Sequence, residues 1–172
     1  LGGEAAELGD VLIGIPSNSP HTNGYSLIRR VFDIENHPEV LDETDWSPGI
    51  GRSLGDALLE PHRSYLEPIT PVLGMIRGMA HITGGGVFEN IPRSLPEGMG
   101  ADIDLSSWEV PPLFRLIQER GKIDRDEMFR VFNMGVGMVL LASVDRTTEI
   151  MDLIPDAWIV GRVVERAADA ES

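Results

Sequence analysis

Apolar positions along this chain fall into short runs, and the spacing within each run predicts its conformation. "DVLIGIP" (residues 10–16) is β-branched, apolar and halted by proline, the pattern of a buried strand. "SNSPHTNG" (17–24) is loop chemistry throughout. "YSLIRRVF" (25–32) sets Leu27, Ile28, Val31 and Phe32 at helical spacing, with Gly24 immediately before it. Residues 33–51 are polar, acidic and rich in turn formers, which predicts a loop or lid. A helix over 53–61 closes at Pro61, and a second is expected from Thr70 with Pro71 in its first turn. Strands follow at 79–83 and at 100–105, the latter alternating apolar and acidic residues. A helix over 111–121 opens on prolines and ends on glycine. The helix over 124–132 starts with Asp124 and Glu127, a capping-box variant. A strand at 137–142, a helix at 145–154 and a strand at 157–165 complete the series, before a polar tail expected to fray. Roughly five strands with six or seven helices predict an α+β domain of mixed layers.

Composition narrows the class. The chain has 172 residues, enough for one domain with its own core. Its longest apolar runs, such as "MVLLA" (138–142), are far too short to cross a bilayer. The opening "LGGEAAELGD" is acidic and lacks the positive leader of a secretory signal. There are no cysteines, so disulfide and thiolate chemistry are excluded. A cytoplasmic location fits. The first residue is Leu1, which points to a chain that is processed, cut or half of something larger. A net charge of −14 argues against nucleic acid as a partner. Any anionic ligand must then be held by local geometry against an unfavourable field.

Two segments share one design that meets this requirement. A strand ends, a glycine-containing loop follows and a helix begins, first over residues 15–25 and again over 82–88. Backbone N–H groups at a helix start lack partners and carry partial positive charge. Glycine, having no Cβ, lets a ligand or a turn come close to the main chain. Together these make an anion site, most naturally for phosphate, although three glycines in a row (Gly84, Gly85, Gly86) also serve a tight turn. The stretch matches neither the nucleoside-triphosphate P-loop nor the dinucleotide fingerprint, since Glu89 stands where the last glycine belongs. Ser17, Asn18, His21 and Asn23 crowd the first loop, and His81, Thr83, Glu89 and Asn90 flank the second.

His21 suits a hydrogen-bond donor to ligand or a general acid/base, and equally a capping or water-binding role. His81, inside an apolar strand, is expected to be a core histidine, and His37 and His62 receive no role. No metal site is expected, because the four histidines match no zinc spacing. Asp102 and Asp104 are read as one solvated strand face. No nucleophile motif of the G-x-S-x-G kind is present. Met134 and Met138 read as core filler.

The blocks "PHTNGYSLIRRVF", "LGDALLEPHRSYLEP", "GMAHITGGGVFENIPRSLPEGMGADID" and "MFRVFNMGVGMVLL" resemble the C-terminal half of the phosphoribosylformylglycinamidine cyclo-ligase (aminoimidazole ribonucleotide synthetase) family. The resemblance runs from about Gly9 to Val164. It implies a purine-biosynthesis ligase that converts formylglycinamidine ribonucleotide and ATP to aminoimidazole ribonucleotide, ADP and phosphate. It also implies a second, N-terminal domain that dimerises and holds most of the ATP and Mg2+, so that residues 1–172 are a single C-terminal domain, inactive alone. By position, His21 becomes the candidate catalytic group. Ser17, Asn23, Gly24, Thr83, Gly84, Gly85, Gly86, Glu89 and Asn90 become the candidate substrate- or phosphate-binding set. Where the family often reads "PSSG-x-HSNG", this chain has Asn18, Ser19 and Thr22, and Glu67 stands where lysine is frequent. Related readings are a phosphotransferase of the selenophosphate synthetase or thiamine-monophosphate kinase type, and a non-catalytic anion-binding module. On the cyclo-ligase reading, Gly85→Val is expected to harm ligand binding more than folding.

Overall fold

The computed structural model describes residues 2–166, so the tail beyond lies outside the described residues. Among residues 2–166 five strands form one sheet: β1 (Val11–Pro16), β2 (Ile76–His81), β3 (Met99–Ile103), β4 (Val136–Ala142) and β5 (Trp158–Glu165). Their order is β2-β4-β1-β5-β3, and every neighbouring pair is antiparallel. Among the described residues seven α-helices surround the sheet: α1 (Tyr25–Phe32), α2 (Leu54–Leu58), α3 (Leu66–Ile69), α4 (Gly86–Asn90), α5 (Pro112–Gly121), α6 (Arg125–Val131) and α7 (Val144–Leu153). The domain is α+β, as the order of apolar runs predicts.

The central strands are apolar at successive positions because both of their faces are covered. Leu12 of β1 and Leu141 of β4 are register partners and face α1, α2, α4, α5 and α6. Ile13 and Leu140, the next pair, face α3 and α7. Strand side chains alternate sides, so a run such as "VLIGIP" supplies both cores at once. All four of these residues are fully buried.

Several boundaries differ from the sequence expectation, each for a local reason. The helix expected from Thr70 is one 3-10 turn, Thr70–Val72, and β2 begins at Ile76. Burial along β2 alternates residue by residue, the period of a strand, and Ile76 to His81 pair with Ala142 to Met138. α2 stops at Leu58, where the Tyr25 hydroxyl donates to the last carbonyl. Asp124 does cap α6, accepting from the Asp126 amide at 2.8 Å rather than forming a reciprocal box with Glu127. β3 ends at Ile103, where the Asp104 carboxylate accepts from the Ser106 amide and hydroxyl, and Asp102 and Asp104 are both exposed, as a solvated face predicts. Residues 33–51 pack down through buried Val40 and through Trp46, whose ring lies 5.5 Å from Phe32 and 5.2 Å from the Arg120 guanidinium.

Candidate functional site

Sheet order decides which loops meet. β1 and β2 both run antiparallel to β4, so they run parallel to each other on its two sides. Their C-terminal ends therefore lie at one end of the sheet, flanking the start of β4. Two backbone bonds fix this junction: Ser17 N–H to Gly135 O and Ile82 N–H to Gly137 O, each 2.9 Å. The two glycine-containing loops thus converge. A Cβ placed on Gly84 in the second loop would lie 3.6 Å from Asn23 Oδ1 in the first.

The first loop is held from below by a residue the sequence reading passed over. Asn133, fully buried, accepts from the Ser17 hydroxyl (2.7 Å) and the Gly135 amide (3.0 Å), and donates to Ser19 O (2.9 Å). Its signal was a lone amide in the apolar stretch "FNMGVGM". Ser17, a predicted ligand contact, is itself buried, with its hydroxyl committed to Asn133. Asn133→Ala is expected to lower unfolding free energy by about 3 kcal/mol, because it strands buried polar partners. Faster amide exchange over residues 17–21 should accompany the loss; unchanged exchange there would show that Asn133 does not hold the loop.

The same loop turns into α1 through Gly24. Its φ of 76° is left-handed, and a Cβ there would lie 2.2 Å from the Phe132 ring. No side chain caps this helix start, so its first-turn amides point out without a side-chain partner.

The second loop behaves differently. The Gly85 amide donates to Arg130 O (2.9 Å) and the Gly86 amide to Thr83 O (3.0 Å), so the expectation of free amides across this turn fails at two of its glycines. Asn90 stitches the loop from inside, its Nδ2 donating to Gly86 O (2.8 Å) and Gly84 O (3.1 Å) while its Oδ1 accepts from the Thr83 hydroxyl (3.1 Å). Glu89 pairs with Arg93 at 2.5 Å. Thr83, Glu89 and Asn90 therefore shape the turn. Gly84, exposed and beside Asn23, is the glycine of the three that a ligand can approach.

Against these loops lies a cluster of aromatic rings. His21 has a left-handed φ of 58° and is 7% exposed. Its ring centroid is 3.7 Å from that of His62, 6.0 Å from His81 and 6.2 Å from Tyr65. His62 arrives because Asn18 ties the α2–α3 connection to the first loop, donating to Pro61 O (2.7 Å) and accepting from the Arg63 amide (3.1 Å). No sequence spacing signals this, and the sequence pattern assigns His62 no role. His81 is exposed at the end of β2, which corrects the expectation of a core histidine. Burial, and then the nearby His62 and His81, push the His21 pKa down to about 4. Burial, and then His62, lower that of His81 as well. Burial raises Tyr65 to about 12, and its hydroxyl donates to Pro16 O (3.1 Å). At neutral pH His21 is therefore an uncharged imidazole and a weak base, without a proton to supply as an imidazolium acid.

Residues 7–171 match the family model described as AIR synthase related protein, C-terminal domain. The chain belongs to that family. Among relatives of this AIR synthase related domain, the phosphoribosylformylglycinamidine cyclo-ligase of Caldicellulosiruptor bescii is 50% identical over 167 residues, covering 94% of this chain and 48% of that protein. The enzyme of the same name from Bacillus subtilis is 44% identical over 167 residues, covering 94% and 47%. The chain thus spans about half the length of the curated relatives it matches. The fold is shared more widely. Thiamine-monophosphate kinase from Stenotrophomonas maltophilia superposes with a TM-score of 0.58 at 14% identity, over 96% of this chain and 51% of that one. Escherichia coli HypE, a hydrogenase maturation protein, gives 0.53 at 19%, over 96% and 46%. Within the AIR synthase related domain, the two glycine loops and the histidine cluster share one end of the sheet.

Proposed function

We propose that this chain is the C-terminal domain of a phosphoribosylformylglycinamidine cyclo-ligase and supplies part of the surface that holds formylglycinamidine ribonucleotide. The observation that carries the reading is the 50% identity to the C. bescii enzyme along 94% of the chain. In the reaction, ATP phosphorylates the formyl oxygen, an amidine nitrogen attacks the activated carbon, and phosphate leaves as the imidazole ring closes. Such chemistry depends on positioning and charge stabilisation, with no protein nucleophile required.

The geometry supports the following roles within the chain. The uncapped start of α1, entered through Asn23 and Gly24, takes the ribonucleotide phosphate on backbone amides. Gly84 leaves room beside it. His21, neutral at pH 7, accepts the proton released as the ring nitrogen attacks. ATP and Mg2+ are held mainly by an N-terminal domain, which also forms the homodimer. The carboxylates beside the two loops, Glu60 and Glu89, are already paired with Arg52 and Arg93 and fit a Mg2+ site poorly. On this reading the enzyme is cytoplasmic, and the isolated chain binds but does not turn over.

A backbone-amide NMR titration tests it. Formylglycinamidine ribonucleotide should shift Asn23 to Leu27 and Gly84, while thiamine monophosphate and MgATP alone should not. Absence of shifts with the ribonucleotide, or ring closure by this chain alone, would overturn the reading.

A further inference from the structure

We propose that His21, His62 and His81 form a three-imidazole site for a divalent transition-metal ion, of which Zn2+ is the natural example. Each residue comes from a different part of the chain: the loop after β1, the α2–α3 connection and the end of β2. One ring nitrogen from each lies within 4.8 Å of the others. In a tetrahedral shell with Zn–N near 2.05 Å, ligand nitrogens sit about 3.3 Å apart. The difference is within reach of side-chain rotation, since His62 and His81 are exposed while His21 is anchored.

A second observation points the same way. Both ring nitrogens of His21 are buried, and neither has a hydrogen-bond partner among the described residues. A buried polar group left unsatisfied is costly and calls for a missing partner. A cation shared with His62 and His81 would be that partner for one nitrogen. Burial and mutual proximity also keep His21 and His81 in the neutral form that binds metals. Three imidazoles without carboxylate or thiolate favour Zn2+, Co2+, Ni2+ or Cu2+ over Mg2+ or Ca2+. Three protein ligands leave a fourth position for water or a ligand atom. Occupancy and proton acceptance at the same His21 nitrogen exclude each other, so the ion would compete with the base role proposed above. The site itself rests on geometry and stands or falls independently of the ligase reading.

The test is titration of the untagged 172-residue chain with ZnCl2 by calorimetry, and with CoCl2 by visible absorption. The expected result is saturable binding of a single ion, with the intense absorption of four-coordinate Co2+. His62→Ala, at an exposed position with little expected effect on folding, should weaken binding ~10-fold or more. His37→Ala removes the histidine outside the cluster and should leave binding unchanged. No saturable Zn2+ binding by the wild-type chain, or full affinity retained in both His62→Ala and His81→Ala, would overturn the proposal.

Discussion

Gly86→Ala is expected to lower the unfolding free energy by about 3–4 kcal/mol, from a left-handed conformation and an overpacked contact together. Gly84→Ala, two residues away, should change it by less than about 1 kcal/mol. At Gly86 φ is 58°, and a Cβ would lie 1.7 Å from the Phe129 carbonyl oxygen, in the backbone of α6. Relief requires α4 and α6 to separate, and both contribute to one core through Val87, Met128 and Phe129. Gly85 is also structural: φ is 94°, and a Cβ would meet the Glu89 side chain at 2.6 Å. The expectation that Gly85→Val harms ligand binding more than folding is therefore revised, and that variant should lose stability together with ligand binding. At Gly84 an added Cβ meets nothing nearer than Asn23 Oδ1 at 3.6 Å, an ordinary contact. Gly84→Val thus becomes the variant that separates ligand approach from folding. Denaturant midpoints for Gly84→Ala and Gly86→Ala check the ranking, and equal losses at the two positions would refute it.

The second large effect concerns pH. His21→Asn should flatten the fall in stability between pH 6.5 and pH 4, removing a contribution of about 3 kcal/mol. The unfolded imidazole titrates near 6.5, whereas the folded one is pushed down to about 4. Between these values the unfolded chain takes up a proton that the folded chain refuses. The contribution is therefore complete above pH 6.5 and is lost as pH falls towards 4. His62, His81 and Tyr65 face the ring, and the lowered pKa of His81 adds in the same direction. Asparagine tolerates the left-handed backbone at this position, so the substitution leaves the loop unstrained. Unfolding of wild type and variant at pH 7.5 and pH 4.5, with chelator present, isolates the effect because the carboxylates common to both cancel. Parallel pH profiles would show that His21 titrates normally in the folded state.

Local pattern determined a good deal by itself. Short apolar runs such as "VLIGIP" and "MVLLA" read as strands covered on both faces because of their length, their β-branched or aliphatic content and, for the first, the proline that ends it. The limits of α1 match the helical spacing read from "YSLIRRVF". The likeness of the glycine blocks to one ligase family was also legible, since those blocks are contiguous in the chain. What the sequence could not decide was adjacency. Placing β4 between β1 and β2 brings two distant loops to one end of the sheet, and only strand order sets that. The same placement sorts three consecutive glycines into two that a neighbouring helix and side chain forbid to change and one open to the cleft. Asn133 acquires its role from loops more than a hundred residues away in sequence. His21 and His81 become neighbours through that strand order, and His62 joins them where Asn18 fastens the α2–α3 connection to the first loop. Periodicity records the environment of a residue along its own element; it carries no record of which side chains tertiary folding brings together across elements.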